Sequence, residues 1–152
     1  MPGCYRDVKD TTVTAMFRMT SPQGAFKTDW GETCFMAWTT TPWTLPSNTA
    51  LCVGPKIDYV LVNTFNPYTS QPISVVMAEA RIASYFNPAG AEAAMENYEK
   101  GGKILPYRVV AHFKGTDLEG LKYEQLFAYV NPGEGAFRVI LGDYVSTEDG
   151  TG

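Results

Sequence analysis

The feature that most limits how this chain folds is an eleven-residue run, Thr39-Thr40-Thr41-Pro42-Trp43-Thr44-Leu45-Pro46-Ser47-Asn48-Thr49, fed by the apolar stretch Cys34-Phe35-Met36-Ala37-Trp38. Apolar side chains at every position from 34 to 38 suit a central strand covered on both faces. Six of the eleven residues that follow bear a hydroxyl, and Pro42 and Pro46 stiffen the run. Thr41 and Leu45 each precede a proline, which pushes their backbone away from helix and toward extended. The expected geometry is a stiff, extended loop that opens where a buried strand emerges. Strand ends are where rigid scaffolds place binding groups.

Further strands are expected over 13–19, 50–53, 59–62, 73–77, 109–113 and 137–145. A helix is expected over 78–86, stopped by Asn87-Pro88, and a second over the alanine- and glutamate-rich 89–100, ended by Gly101-Gly102. Ser21-Pro22-Gln23-Gly24, Asn66-Pro67-Tyr68-Thr69-Ser70 and 114–120 carry turn chemistry, and Gly133-Glu134-Gly135 reads as a hairpin turn. Short, turn-separated strands that outnumber the helices predict a mainly β fold with peripheral helices (α+β), a barrel or strongly curved sheet. The 152 residues fit one domain, and 45% apolar against 18% charged residues supply a globular core.

A net charge of −4 argues against a protein that grips nucleic acid along a groove, yet allows a partner touching only the tip of one. Cys4, Cys34 and Cys52 are odd in number and match no zinc spacing. Cys34 and Cys52 read as small buried hydrophobes in a reducing, cytoplasmic setting. No apolar stretch approaches the roughly 18 residues of a membrane span, so no membrane partner is expected. Met1-Pro2-Gly3 lacks signal-peptide character, and Asp149-Gly150-Thr151-Gly152 stops in a turn. Both ends read as cut points, giving a single domain, 1–152, truncated on its C-terminal side.

One histidine and scattered cysteines make no metal site. His112, within Val109-Val110-Ala111-His112-Phe113, reads as a half-buried strand residue. There is no Gly-x-Ser-x-Gly elbow and no phosphate loop. Glu148-Asp149 reads as a solvated turn, whereas Asp143, at the end of a strong strand, is a better site candidate. The threonine run has two readings. Its hydroxyls either satisfy local backbone groups, or form a pocket of fixed donors and acceptors that orients a small polar ligand or a water.

The run Trp38-Thr39-Thr40-Thr41-Pro42-Trp43-Thr44-Leu45-Pro46-Ser47-Asn48 resembles the threonine-rich signature of the editing domain inserted in isoleucyl-tRNA synthetases. The segment 115–123 is similar to the family's Gly-x-x-Leu-x-Gly-x-x-Tyr, and 142–152 to the stretch before its second signature. The resemblance covers roughly 5–152. Related valyl and leucyl enzymes carry Thr-Thr-Arg-Pro here; Thr40-Thr41-Pro42-Trp43-Thr44 has no arginine, which favours the isoleucyl type.

The resemblance implies a barrel-like editing fold that hydrolyses valine misattached to the isoleucine tRNA, or valyl-adenylate. Thr39, Thr40 and Thr41 are then expected to line the pocket for valine and the terminal adenosine, with Thr40 and Thr41 as the catalytic candidates that position substrate and water. Asn48 is expected to contact substrate or hold the loop, and Trp38 and Trp43 to shape the pocket; Asp143 joins them as a substrate-binding candidate. The implied partners are the 3′ end of aminoacylated tRNA and the catalytic core of the parent enzyme. No cofactor is expected in this segment, and ATP and magnesium are expected to serve the parent's core. The family also uses a histidine and an aspartate that follow the Gly-Thr-Gly turn, so this segment alone is expected to bind valyl analogues weakly and to hydrolyse little. The alternative reading is a non-catalytic docking module for the tRNA acceptor end.

Overall fold

The computed structural model describes residues 6–152, and Cys4 lies outside the described residues. Among them seven strands form: β1 (Val13–Arg18), β2 (Glu32–Thr39), β3 (Ala50–Val53), β4 (Asp58–Phe65), β5 (Pro72–Ala78), β6 (Arg108–Lys114) and β7 (Arg138–Leu141). Five make one sheet in the order β1-β2-β5-β4-β6, while β3 and β7 pair in parallel as a second. Residues 121–124 splint the two sheets. Thr20 N–H donates to the Lys122 carbonyl (2.9 Å) and Glu124 N–H to that of Arg18 (2.8 Å) on one side. On the other, Val139 N–H donates to the Leu121 carbonyl (2.8 Å). The fold is mainly β, as expected.

Register explains the apolar runs. Phe17 pairs with Phe35, Phe35 with Val76 and Val76 with Leu61, a row crossing four strands on one face. One residue away, Cys34 pairs with Val75 and Val75 with Val62 on the opposite face. Because successive side chains in a strand alternate in direction, each row feeds its own core. The inner core gathers Phe17, Phe35, Leu61, Val76, Tyr123 and Val139. The outer core gathers Cys34, Val60, Val62, Val75, Phe86 and Tyr107. The central place expected for 32–38 is thus observed, although cover ends before Trp38, which is 38% exposed.

The helices depart from expectation. The stretch 78–86 divides into a 3-10 turn, Glu79–Arg81, and a single α-turn, α1 (Ile82–Tyr85). The helix expected over 89–100 does not form; two 3-10 turns, Pro88–Ala91 and Met95–Asn97, take its place. Its carbonyls are engaged elsewhere. The Arg108 guanidinium donates to those of Gly90 (3.2 Å) and Ala93 (2.6 Å), and Tyr107 N–H donates to Gly90 (3.1 Å). Tertiary hydrogen bonds therefore override local helix propensity.

The turn-rich connection after β6 contains the one-turn helix α2 (Gly115–Leu118), opened by Asp117, whose carboxylate accepts the Lys114 N–H at 2.8 Å. The late strand stops at Leu141, four residues short of expectation, because the chain turns at Gly142 with Val145 N–H on its carbonyl. His112 is exposed, not half-buried, and faces Glu79 at 3.7 Å. Among the described residues no helix is long and apolar enough to cross a membrane.

Gly115 is buried against the 53–55 corner, where an added Cβ would lie 1.9 Å from the Gly54 carbonyl oxygen. That neighbour is backbone and has little room to yield. Gly115→Ala is expected to destabilise the fold by about 1–3 kcal/mol, read as a lower urea midpoint; an unchanged midpoint would show that the corner relaxes freely.

Candidate functional site

The threonine run leaves β2 and does not stay extended. Residues Pro42–Ser47 form a 3-10 helix with Thr41 at its N-cap and Pro42 in its first turn. Proline suits that position because its φ is already helical and its missing N–H has no partner to lose. The Thr41 carbonyl accepts both the Thr44 N–H (3.0 Å) and the Thr44 hydroxyl (2.7 Å). A proline following a hydroxyl residue was the available signal for this helix start. The restriction on pre-proline residues still holds at Thr41, which sits at φ −125°, ψ 67°.

The hydroxyls form a chain. Thr39 Oγ1 accepts the Thr41 N–H at 3.0 Å and lies 3.2 Å from Thr41 Oγ1, which lies 3.3 Å from Thr44 Oγ1. Thr39, Thr41 and Thr44 thus bond locally, as the plainer of the two sequence readings expects. Thr40, Ser47 and Thr49 differ: each is exposed and its hydroxyl bonds to none of the described residues. Of these three, Thr40 lies nearest the end of β2, and its donor and acceptor remain available to a ligand. Trp43, three residues further on, is 65% exposed.

Asn48 ties this loop to the core. Its Nδ2 donates to the Ala50 carbonyl (2.9 Å), and its Oδ1 accepts the Tyr123 hydroxyl at 2.5 Å. The Tyr123 ring lies in the inner core, 5.2 Å from Phe17 and 6.0 Å from Phe137 between ring centres. Burial pushes its phenol up to about 12, against the smaller opposing effect of Asn48. Asn48 therefore links the threonine loop to Ala50 and to the core through Tyr123.

A cavity of about 280 Å³ opens at the end of β2, lined by Trp38, Cys52, Val145 and the turn Gly150-Thr151-Gly152 among others. Of the predicted site residues Trp38 borders it, whereas Thr39, Thr40, Thr41, Trp43, Asn48 and Asp143 do not. Asp143 is exposed in the turn after β7. Cys34 is buried as expected, but Cys52 is half-buried and faces the cavity. Burial, reinforced by the nearby Glu32 charge, raises the Cys34 thiol to about 11. Among the described residues no three His, Cys, Asp or Glu side chains gather as metal ligands.

Comparison with known proteins gives this geometry its context. The chain is 64% identical over 151 residues to the isoleucine–tRNA ligase of Bacteroides fragilis, covering 99% of this chain and 13% of that protein. It is 58% identical over 152 residues to that of Porphyromonas gingivalis, again over 13% of the relative. This chain is homologous to a segment of isoleucine–tRNA ligase. It spans about an eighth of the length of the curated ligases it matches. No protein-family model matches it. The fold agrees with the cytosolic leucyl-tRNA synthetase editing domain of P. falciparum, at a TM-score of 0.59 and 15% identity over 90% of this chain and 48% of that one. The P. knowlesi domain of the same description gives 0.56 and 14% over 80% and 45%. These structural likenesses establish an editing-domain fold for the ligase segment.

The bond between Tyr123 and Asn48 generates a prediction. The folded Tyr123 pKa of about 12 exceeds its ordinary value of 10.0, so the native state holds the phenolic proton more tightly than the unfolded chain does. Its contribution is full below pH 10 and is lost as pH rises toward 12. Tyr123→Phe is expected to flatten the alkaline loss of stability in that window, leaving the earlier loss that begins near pH 9 from Cys34. At neutral pH the same variant should cost about 1–3 kcal/mol, because Asn48 Oδ1 loses its partner. Urea midpoints measured across pH 8–12 read both effects, and identical curves for the two proteins would refute them.

Proposed function

We propose that this segment is the editing site of its ligase and hydrolyses valine misattached to the isoleucine tRNA, with valyl-adenylate as an alternative substrate. The observation that carries the reading is a small cavity at the strand end from which the threonine run emerges, with the Thr40 hydroxyl unbonded just beyond that end. The need for such a site is physical. One missing methylene gives a binding pocket only about 1–3 kcal/mol of discrimination, a limit for which isoleucyl-tRNA synthetase is itself the standing illustration. A second pocket can work in the opposite sense by admitting the smaller side chain and excluding the larger, since overpacking a rigid site is costly.

The reaction is attack of water on the ester carbonyl, which breaks the bond to the ribose oxygen and releases valine. In this reading Thr40 orients the water or the ester, and Thr39 and Thr41 fix the loop around it. Hydroxyl and backbone donors stabilise the oxyanion. Trp38 and Trp43 shape the approach, and Asp143 contributes to substrate binding from the neighbouring turn. Proton handling falls to the histidine and aspartate that follow the Gly-Thr-Gly turn in the family. The tRNA 3′ end is the partner, delivered in the cytoplasm by the ligase's catalytic core. ATP and magnesium serve that core, and this segment contributes no cofactor of its own.

The test uses the intact ligase and preformed valyl- and isoleucyl-tRNA. Valyl-tRNA is expected to be hydrolysed and isoleucyl-tRNA spared. Thr40→Val keeps the side-chain shape and removes the hydroxyl, and should lower the rate on valyl-tRNA by about 10²-fold. Equal hydrolysis of both esters would refute the size sieve. A Thr40→Val rate equal to wild type would remove Thr40 from the chemistry.

A further inference from the structure

We propose that Arg81 is a positioning residue for editing: its guanidinium pins the 148–152 turn against the end of β5 and so fixes one wall of the cavity. This rests on the editing reading above. Arg81 follows β5 by three residues, and its side chain crosses to a segment almost seventy residues later in the chain. Nε donates to the Gly150 carbonyl at 2.9 Å and Nη1 to the Glu148 carbonyl at 3.1 Å. A rigid planar fork suits this two-point grip, which the single ammonium of a lysine reproduces poorly. Among the described residues Arg81 makes no ion pair with a carboxylate.

The turn it holds is tightly seated. Ala78, the last residue of β5, donates its N–H to the Thr151 carbonyl at 2.9 Å, and Thr151 is 6% exposed. Gly150 lies at φ +66°, and a Cβ there would stand 3.1 Å from the Trp38 ring. At Gly152 a Cβ would stand 2.2 Å from that of Ala78. The turn thus meets Trp38 on one side and β5 on the other. Gly150, Thr151 and Gly152 all line the cavity. Gly142 N–H is anchored to the Val53 carbonyl (3.0 Å), and between it and this turn the backbone bonds, among the described residues, only locally, through Val145 N–H to Gly142. Among the described residues, Arg81 and Ala78 supply the hydrogen bonds that hold the turn itself against the strand ends. Releasing the guanidinium lets the turn move outward, which misplaces the reacting ester and widens the cavity together.

The test compares Arg81→Ala and Arg81→Lys in the intact ligase with Arg108→Ala. Arg108 also grips backbone carbonyls, but in the 88–108 region away from this cavity. Arg81→Ala is expected to lower kcat on valyl-tRNA by about tenfold or more and to narrow the valyl-to-isoleucyl rate ratio. Arg81→Lys should fall between it and wild type, and Arg108→Ala should leave the ratio unchanged. A purely structural role would move stability without moving that ratio. Hydrogen exchange at Ala78, whose N–H donates to the Thr151 carbonyl, reads the clamp directly, and should speed up in Arg81→Ala but not in Arg108→Ala. If Arg81→Ala melts below the assay temperature, Arg81→Lys carries the comparison. Wild-type exchange and wild-type ratio in the Arg81 variants would overturn the proposal, as would an equal change of ratio in Arg108→Ala. A wild-type ligase that spares valyl-tRNA refutes editing itself; faster exchange in Arg81→Ala would then show the clamp intact as structure while its editing role falls.

Discussion

Two-sided burial of the central strands is the constraint on which the rest depends. In β2 the side chains of Cys34 and Phe35 point into different cores, and their partners in β5, Val75 and Val76, do the same. A shift of one residue would exchange the two sets and place every side chain in the wrong core. This makes the register of β2 costly to change. Once Phe35 is seated between Phe17 and Val76, the place where Thr39 leaves the sheet is set to within a residue. The position of the hydroxyl run is a consequence of hydrophobic packing four residues upstream.

The core reaches the loop through Tyr123. Its ring packs edge-on to Phe17, Phe35 and Phe137, and its hydroxyl emerges at Asn48. A phenol combines a large apolar body with one polar end that needs a partner when buried. Asn48 supplies that partner and spends its amide N–H on the Ala50 carbonyl just beyond. The loop is thereby braced from inside as well as by its own hydroxyl chain. The unbonded Thr40 is flanked by Thr39 and Thr41, whose hydroxyls are bonded within the loop.

The strands were legible in the sequence because burial on both faces writes itself as unbroken apolar runs, as at 59–62 and 73–78, where Ser74 is the one polar break. The family was legible from the threonine run and its flanks. Two of the features that sequence reading missed share a physical origin: long-range bonds to backbone carbonyls. Alanine and glutamate at 89–100 favour a helix until Arg108 takes the carbonyls of Gly90 and Ala93. The cavity went unseen because its walls come from β2, β3, β5 and the 145–152 stretch, joined by an arginine at 81 that carries no local signature. His112 was misread because β6 is an edge strand whose outer face carries no cover. Only the 3-10 helix after Thr41 had a local signal, in Pro42.

The surface charge bears on how an editing segment of this kind would meet its substrate. Two exposed cations are already paired: Arg18 with Glu32 and Glu124, and Lys114 with Asp58. With a net charge of −4, the segment lacks the phosphate neutralisation that dominates nucleic-acid affinity. In the proposed reading, then, the grip on tRNA lies in the rest of the ligase, and this segment receives only the terminal ester. A weak hold suits such a task, because binding energy shared equally by correct and incorrect esters adds nothing to their discrimination. Selectivity then depends on the stiffness of the cavity wall. Backbone turns seated by hydrogen bonds resist a larger ligand better than a side chain, which can rotate aside. The walls at Gly150 and Gly152, pressed against Trp38 and Ala78, are of the resistant kind.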